Sequence, residues 1–276
     1  MNTRPTISVV TICYNAAQII EQTIQSVLSQ TYTDYEYVFI DGASKDGTVS
    51  IIESYRQPFE KKGIAYRVIS EPDGGIYDAM NKGAARSEGE WVLMLNAGDV
   101  LLHEKVFAQV FEGKTYQAAV LYGNTVLQEM SRGGMRYKKV PARPLENMDE
   151  GMVFCHQSAF VQGEALRRYG FDTSFKIVAD YEQFLRMRKD GLVFTKVETY
   201  ISLFDGSGVS MAKPEATLAE YKAARAKNGI AQKNRALSGV LQWIKYTLRQ
   251  TIRKVLSGWF YSEKRGWYSS LDDMKW

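Results

Sequence analysis

The sequence predicts an α/β fold, with a mostly parallel central sheet, helices on both faces and a helical, basic C-terminal tail. Three observations lead there. Short apolar, β-branched runs alternate with stretches of helical spacing through the first half of the chain. The runs end in Gly, Asp and Asn turns, which is where a strand hands over to a helix. From Pro214 onward the pattern turns helical and rich in Lys and Arg.

In chain order, residues 7–12 are an apolar run read as a buried strand. Residues 17–30 place Ile20, Ile24, Val27 and Leu28 at helical spacing. A second strand, 35–40, ends at Asp41-Gly42, and Gly47-Thr48 opens a helix through Tyr55. Residues 65–69 form a third strand, 75–86 a helix and 91–95 a fourth strand. The second half is less regular. It offers a strand at 118–126, a turn or loop at Gly133-Gly134, a helix at 181–189 and strands at 193–197 and 200–204.

A chain of 276 residues can bury one large core, alone or with an appendage. A formal net charge of only +4 gives no reason to expect a nucleic-acid partner. Two cysteines, Cys13 and Cys155, are too few for a disulfide framework and suit a reducing compartment. No secretory h-region follows Met1, and no run approaches the roughly 18 apolar residues of a spanning helix. The expectation is a cytoplasmic chain, soluble or held at the inner membrane surface.

In an open parallel sheet, ligands bind beyond the carboxyl ends of the strands. Three of the first four strands end in polar turns: Cys13-Tyr14-Asn15, Asp41-Gly42-Ala43-Ser44 and Asn96-Ala97-Gly98-Asp99. A carboxylate there can accept hydrogen bonds from a base imide or a ribose hydroxyl, and another can hold a hard cation against a diphosphate. Turn formation or helix capping is the competing role for Asp41 and Asp99, each taken singly. Their joint placement at strand ends favours a site.

Four ordered blocks carry a family resemblance. They are Ser8-Val9-Val10-Thr11-Ile12-Cys13-Tyr14-Asn15 with Ser26-Val27-Leu28-Ser29-Gln30-Thr31-Tyr32; Val38-Phe39-Ile40-Asp41-Gly42-Ala43-Ser44-Lys45-Asp46-Gly47-Thr48; Glu71-Pro72-Asp73-Gly74-Gly75-Ile76-Tyr77-Asp78-Ala79-Met80-Asn81-Lys82-Gly83; and Gly89-Glu90-Trp91 through Asp99. Together they resemble family 2 glycosyltransferases of GT-A fold, tightly over residues 5–102 and more loosely to about 210.

The resemblance implies roles. Thr11, Tyr14 and Asn15 match the first nucleotide-binding turn, Asp41 the aspartate that contacts the base, and Lys82 the segment that closes over the nucleotide. Asn96 to Asp99 match the metal-binding acidic cluster, but with a single carboxylate. Asp99 is then the ligand for Mg²⁺ or Mn²⁺, with Asn96 on a ribose or phosphate-linked group. Ile177-Val178-Ala179-Asp180-Tyr181-Glu182 matches the acidic pair that holds the catalytic base, with Ala179 in place of the first acid. Asp180 is the expected base, a role compatible with capping the following helix. Glu182 points elsewhere on that helix. His156, between Cys155 and Gln157, is a contact to a donor phosphate, the metal or the acceptor, or else a core or interface histidine.

Between Ala236 and Arg265 there are six Lys/Arg against one Glu, and Leu237, Leu241, Ile244, Leu248, Ile252, Val255 and Trp259 fall on one helical stripe. Trp259, Phe260, Tyr261, Trp267 and Tyr268 add aromatics suited to an interface. This reads as a membrane-surface helix or as a helix docked on protein. Domains are placed at 1–212, with a nucleotide-sugar half to 102 and an acceptor half after it, and at 213–276 for the helical extension. The function expected is inverting transfer from a UDP-linked sugar to a glycan or polyprenyl-diphosphate-linked acceptor, in cell-surface polysaccharide synthesis. The alternatives are a non-catalytic binding relative, or a nucleotidyltransferase; Asn15-Ala16-Ala17-Gln18 stands where the latter needs a glycine-rich phosphate loop.

Overall fold

The computed structural model describes residues 4–131, 134–205, 213–230 and 267–274. Its first strands and helices follow the expected alternation: β1 Ile7–Cys13, α1 Ile20–Leu28, β2 Tyr35–Asp41, α2 Thr48–Ser54, α3 Arg56–Lys61, β3 Ala65–Ser70, α4 Ile76–Arg86 and β4 Trp91–Met94. β5 Val100–Leu101, α5 Val106–Phe111, β6 Val120–Ser131, β7 Gly134–Val140, β8 Ala159–Gln162, α6 Gly163–Tyr169, α7 Ala179–Lys189, β9 Phe194–Asp205, α8 Pro214–Lys227 and β10 Trp267–Tyr268 complete the described elements. Two short 3-10 turns, Leu145–Glu150 and His156–Ser158, lie before β8.

The sheet runs β10-β7-β6-β8-β4-β1-β2-β3, with β9 paired to β6 and β5. From β4 to β3 it is parallel, and both faces are covered. Alternate residues of each strand point to opposite faces. Val10, Ile12, Val38 and Ile40 therefore join the core with α4, α6 and α7. Ile7, Val9, Tyr37 and Phe39 join the one with α1, α3 and α5. Beyond β4 the sheet is mixed, because β8 enters antiparallel to β4 and β6.

The expected pattern is changed in the two long strands of the second half. The strand expected at 118–126 continues to Ser131 and forms a hairpin with β7. Residues 128–131 and 134–140 are amphipathic at best, so apolar periodicity does not report them; cross-strand pairing organises them instead. The two strands expected at 193–197 and 200–204 are one strand, β9. Its register on β6 slips between Tyr122 and Asn124, a bulge at the expected break. Gly123 lies under this bulge, where a Cβ would stand 2.7 Å from the Thr199 carbonyl.

At the other end of the chain, Pro214 starts α8 at a position that tolerates a missing N–H. This helix packs on α7: the Tyr181 and Tyr221 rings are 4.7 Å apart, and Lys227 reaches Glu182 at 2.9 Å. Trp267 and Tyr268, expected as interface aromatics of the tail, instead pair with Lys138 and Tyr137 of β7. Aromatic residues favour strands, and this pair supplies the partner that β7 would otherwise lack. Met274 is buried against Val126 and Leu203. The basic stripe from Ala236 to Arg265 lies outside the described residues. No helix among those described is long and apolar enough to cross a membrane.

Candidate active site

The parallel register places Cys13 opposite Asp41 and Asp41 opposite Ser70, so the carboxyl ends of β1, β2 and β3 are level. Asp41 is fully buried there. Its carboxylate accepts from the Ser44 N–H (2.9 Å), the Ser70 hydroxyl (2.6 Å) and the Ser44 hydroxyl. With its lone pairs used in this way, Asp41 shapes the turn that follows β2. In that turn Ala43 has φ 62°, and Asn15 in the neighbouring turn has φ 47°. Non-glycine residues held left-handed cost roughly 1–2 kcal/mol each. The two turns brace one another: the Asn15 N–H donates to the Ser44 hydroxyl (2.8 Å), and the Asn15 side-chain oxygen accepts from the Lys45 N–H (2.9 Å).

Thr11 is also fully buried. Its hydroxyl donates to the Leu95 carbonyl at 2.7 Å and meets the Tyr37 hydroxyl at 3.0 Å. These bonds make it a strut between β1 and the end of β4. Tyr14, in the turn that follows β1, is 66% exposed. Beside it stands Asp73, in the turn after β3, to which the sequence reading assigns no role. A Cβ on Gly42 would lie 2.6 Å from the Asp73 carboxylate and 3.2 Å from the Tyr14 ring. Glycine at this position is what lets the two side chains converge. The signal was present in Glu71-Pro72-Asp73-Gly74, since β3, like its neighbours, ends in an acidic glycine turn. Lys82 is tied to this turn, donating to the Pro72 carbonyl (2.7 Å) and pairing with Glu71 (3.2 Å) and Asp78 (3.5 Å).

On the other side of β1, the chain leaving β4 bonds back through the Ala97 N–H to the Ile12 carbonyl. Here Asn96, Asp99, His156 and Asp180 gather. Asn96 Nδ2 lies 3.3 Å from His156 Nε2, and His156 Nδ1 lies 3.4 Å from Asp180 Oδ2. Tyr77, on α4, donates to the Ile177 carbonyl at 2.7 Å and reaches Asp180 Oδ1 at 3.4 Å. Gln157 donates to Asp99 Oδ1 at 3.3 Å. The 3-10 turn that carries His156 and Gln157 is pinned through Ser158, whose hydroxyl meets Thr125 (2.8 Å) and Ser202 (2.6 Å).

The electrostatics follow from these contacts. Burial pulls the His156 imidazole down, but the hydrogen bond and charge of Asp180, joined by the charge of Asp99, outweigh it and set His156 above its ordinary value. A carboxylate accepts hydrogen bonds, so the ring nitrogen that faces Asp180, Nδ1, is the one that carries a proton. Burial first, then Asp180, raises the Tyr77 phenol, so it remains a donor. Burial pushes the Cys155 thiol up to about 11 and holds Cys13 far above its ordinary value, which makes both poor nucleophiles. Glu182 turns away from the cluster into an ion pair with Arg186 (2.9 Å) and another with Lys227.

For a divalent ion, the turn after β4 offers oxygen donors, which suit Mg²⁺ or Mn²⁺. These are the Asp99 carboxylate and Asn96 Oδ1, a buried atom with no hydrogen-bond partner among the described residues. No group of three or more His, Cys, Asp or Glu able to hold a metal occurs among the described residues.

The parallel half-sheet thus carries two polar clusters at its strand ends, and one of them includes an aspartate at a helix start. Residues 8–175 match the family model described as glycosyl transferase family 2, and the chain belongs to that family. A glycosyltransferase of Mycobacterium tuberculosis, described as uncharacterized, is 31% identical over 229 residues, covering 80% of this chain and 84% of its own. A putative teichuronic acid biosynthesis glycosyltransferase, TuaG of Bacillus subtilis, is 34% identical over 109 residues, 40% of this chain and 42% of that one. Among solved structures, S. aureus TarS 1–349 with UDP-GlcNAc aligns with TM-score 0.61 at 18% identity, over 84% of this chain and 69% of that one. The mannosyltransferase PcManGT of Pyrobaculum calidifontis with GDP-Man and Mn²⁺ aligns with TM-score 0.55 at 17% identity, over 92% and 83%. The fold is GT-A, and the chain is a glycosyltransferase.

Proposed function

We propose that this chain is an inverting glycosyltransferase that moves a sugar from a UDP-linked donor to a hydroxyl of a glycan or lipid-linked acceptor in cell-surface polysaccharide synthesis. One observation carries this reading. Asp180 at the start of α7 and Asn96 at the end of β4 are joined through a single imidazole, His156. A base on the acceptor side is thereby linked to the turn on the donor side. TarS, a structural neighbour, was solved with UDP-GlcNAc, and TuaG is described as acting in teichuronic acid synthesis, which supports the donor and pathway classes.

In the proposed reaction Asp180 takes the proton of the acceptor hydroxyl as its oxygen attacks the anomeric carbon. The bond from that carbon to the diphosphate oxygen breaks, configuration inverts, and negative charge collects on the leaving nucleoside diphosphate. His156, with its Nδ1–H toward Asp180, holds the carboxylate's orientation. Tyr14 and Asp73 flank the place for the nucleoside, above the turn that Asp41 shapes. Asp99 and Asn96 Oδ1 would hold a divalent ion, which when bound supplies positive charge for the leaving diphosphate. A single carboxylate makes that ion dependent on the donor's own oxygens. The basic stripe between Ala236 and Arg265 supports placement at the inner membrane face, where lipid-linked acceptors are presented.

The test is a thermal-shift screen with UDP-glucose, UDP-galactose, UDP-GlcNAc and GDP-mannose, with and without Mn²⁺, followed by turnover of each. A bound donor raises the melting temperature by mass action. The expected result is a rise for a UDP-linked sugar, larger with Mn²⁺, and slow hydrolysis of that donor. A folded chain that neither binds nor turns over any of the four would overturn the reading.

A further inference from the structure

Glu220 lies on α8, far along the chain from every residue of the crevice, yet its carboxylate is seated against the segment that leads into Asp180. Three successive main-chain N–H groups donate to it. Lys176 donates to Oε1 at 2.9 Å and Oε2 at 3.1 Å, Ile177 to Oε2 at 2.9 Å, and Val178 to Oε2 at 3.1 Å. Val178 is the N-cap of α7, and it makes no side-chain cap bond of its own. Unsatisfied N–H groups at a helix start favour a negative charge, and bonds to an ionised acceptor are the stronger kind. Glu220 supplies both from another helix. The same segment is gripped from the other side, since the Tyr77 hydroxyl donates to the Ile177 carbonyl at 2.7 Å. Asp180 follows within the first turn of α7.

We propose that Glu220 is a positioning residue for Asp180, fixing the entry into α7 so that the carboxylate meets the acceptor hydroxyl at bonding distance. This rests on the reading of Asp180 as the base. The physical ground is geometric. The peptide groups 176–178 have their donors held by Glu220 and one acceptor held by Tyr77, which leaves the start of α7 little freedom to swing. A displacement of about 1 Å at a reacting group can cost ~10²-fold in rate. The remaining contacts of α8 with α7, Tyr221 on Tyr181 and Lys227 on Glu182, keep the two helices together when Glu220 is altered.

The test compares Glu220→Ala, Glu220→Gln and Asp180→Asn, using whichever of the four nucleotide sugars the wild-type chain turns over fastest. Glutamine keeps one oxygen that can accept these N–H groups. The expected result is a fall in kcat of ~10–100-fold for the alanine variant, with donor KM and melting temperature near wild type, and recovery of most of the loss in the glutamine variant. Hydrogen exchange gives a readout independent of turnover: amides 176–178 should exchange faster in Glu220→Ala. Wild-type kcat in Glu220→Ala beside a dead Asp180→Asn would overturn the role of Glu220 alone. So would unchanged exchange at 176–178, or equal losses in the alanine and glutamine variants. A fully active Asp180→Asn would overturn both that role and the catalytic reading beneath it.

Discussion

His156 presents Nδ1 to Asp180 at 3.4 Å and Nε2 to the Asn96 amide at 3.3 Å, so one imidazole bridges Asp180 and the turn after β4. Asp180 is in the first turn of α7, where helix-end N–H groups favour a carboxylate. His156 faces Oδ2 of that carboxylate and the Tyr77 hydroxyl lies 3.4 Å from Oδ1, so each oxygen has a neighbour that fixes its direction.

Asp180→Asn should lower kcat by ~10²–10⁴-fold, the usual worth of a general base, with UDP affinity held. His156→Ala should cost less, about tenfold to a hundredfold in kcat, because it removes the orienting partner and leaves the base. Single-turnover rates together with calorimetric UDP binding check both. A collapse of UDP affinity equal to the loss of rate in Asp180→Asn would remove its assignment.

Asp99→Ala should raise the Mn²⁺ concentration needed for half-maximal UDP binding by roughly tenfold, since the turn then has no anionic oxygen. Asn96→Asp should shift it the other way by adding a carboxylate to the same turn. A metal titration of UDP binding in the two variants reads out both directions. Identical midpoints in wild type and both variants would refute the placement of the ion.

Asp172 is held down to about 2, first by its hydrogen bond from Lys227 at 2.5 Å and then by the Ser174 N–H. Its folded value is below the unfolded one of about 3.9. The stability it adds is therefore complete above about pH 4 and drains away as pH falls towards about 2. Asp172→Asn should cost about 1 kcal/mol near neutral pH, after allowing for solvent screening of the pair. Melting curves of wild type and variant should converge on acidification, and a constant gap would contradict this origin.

Reversing Lys245, Arg249, Arg253 and Lys254 to Glu should release the chain from anionic liposomes, at about 1 kcal/mol per basic residue. Charge reversal is a cleaner test than truncation. Cutting the chain before this stripe would also strip away β10, and Met274 with it. Unchanged co-sedimentation would give the stripe another task.

Much of the architecture is legible in the sequence. The parallel strands are apolar because they are buried on both faces, and their turns must be Gly, Asp or Asn, so β1 to β4 and α4 emerge from local pattern alone. The hairpin β6–β7, the strand β8 and the late return of β10 do not. Their residues are polar on one side or few in number, and only pairing with distant partners makes them strands. The site divides in the same manner. Asn96, Asp99, His156 and Asp180 were all nameable from spacing and resemblance, and they do converge. Asp73 was overlooked although its turn carries the same signal as its neighbours.

What the chain's sequence determined by itself was the set of strand-end turns and the chemistry they carry, because turn formation and strand burial depend on neighbours a few positions away. What only tertiary structure decided was the use of each group. Packing closed Ser44 and Ser70 over Asp41, left Asp73 and Tyr14 at the rim, and brought Glu220 from a late helix to the threshold of Asp180. Such roles depend on which residues meet across long stretches of chain, and that is settled by three-dimensional packing, to which local pattern is blind.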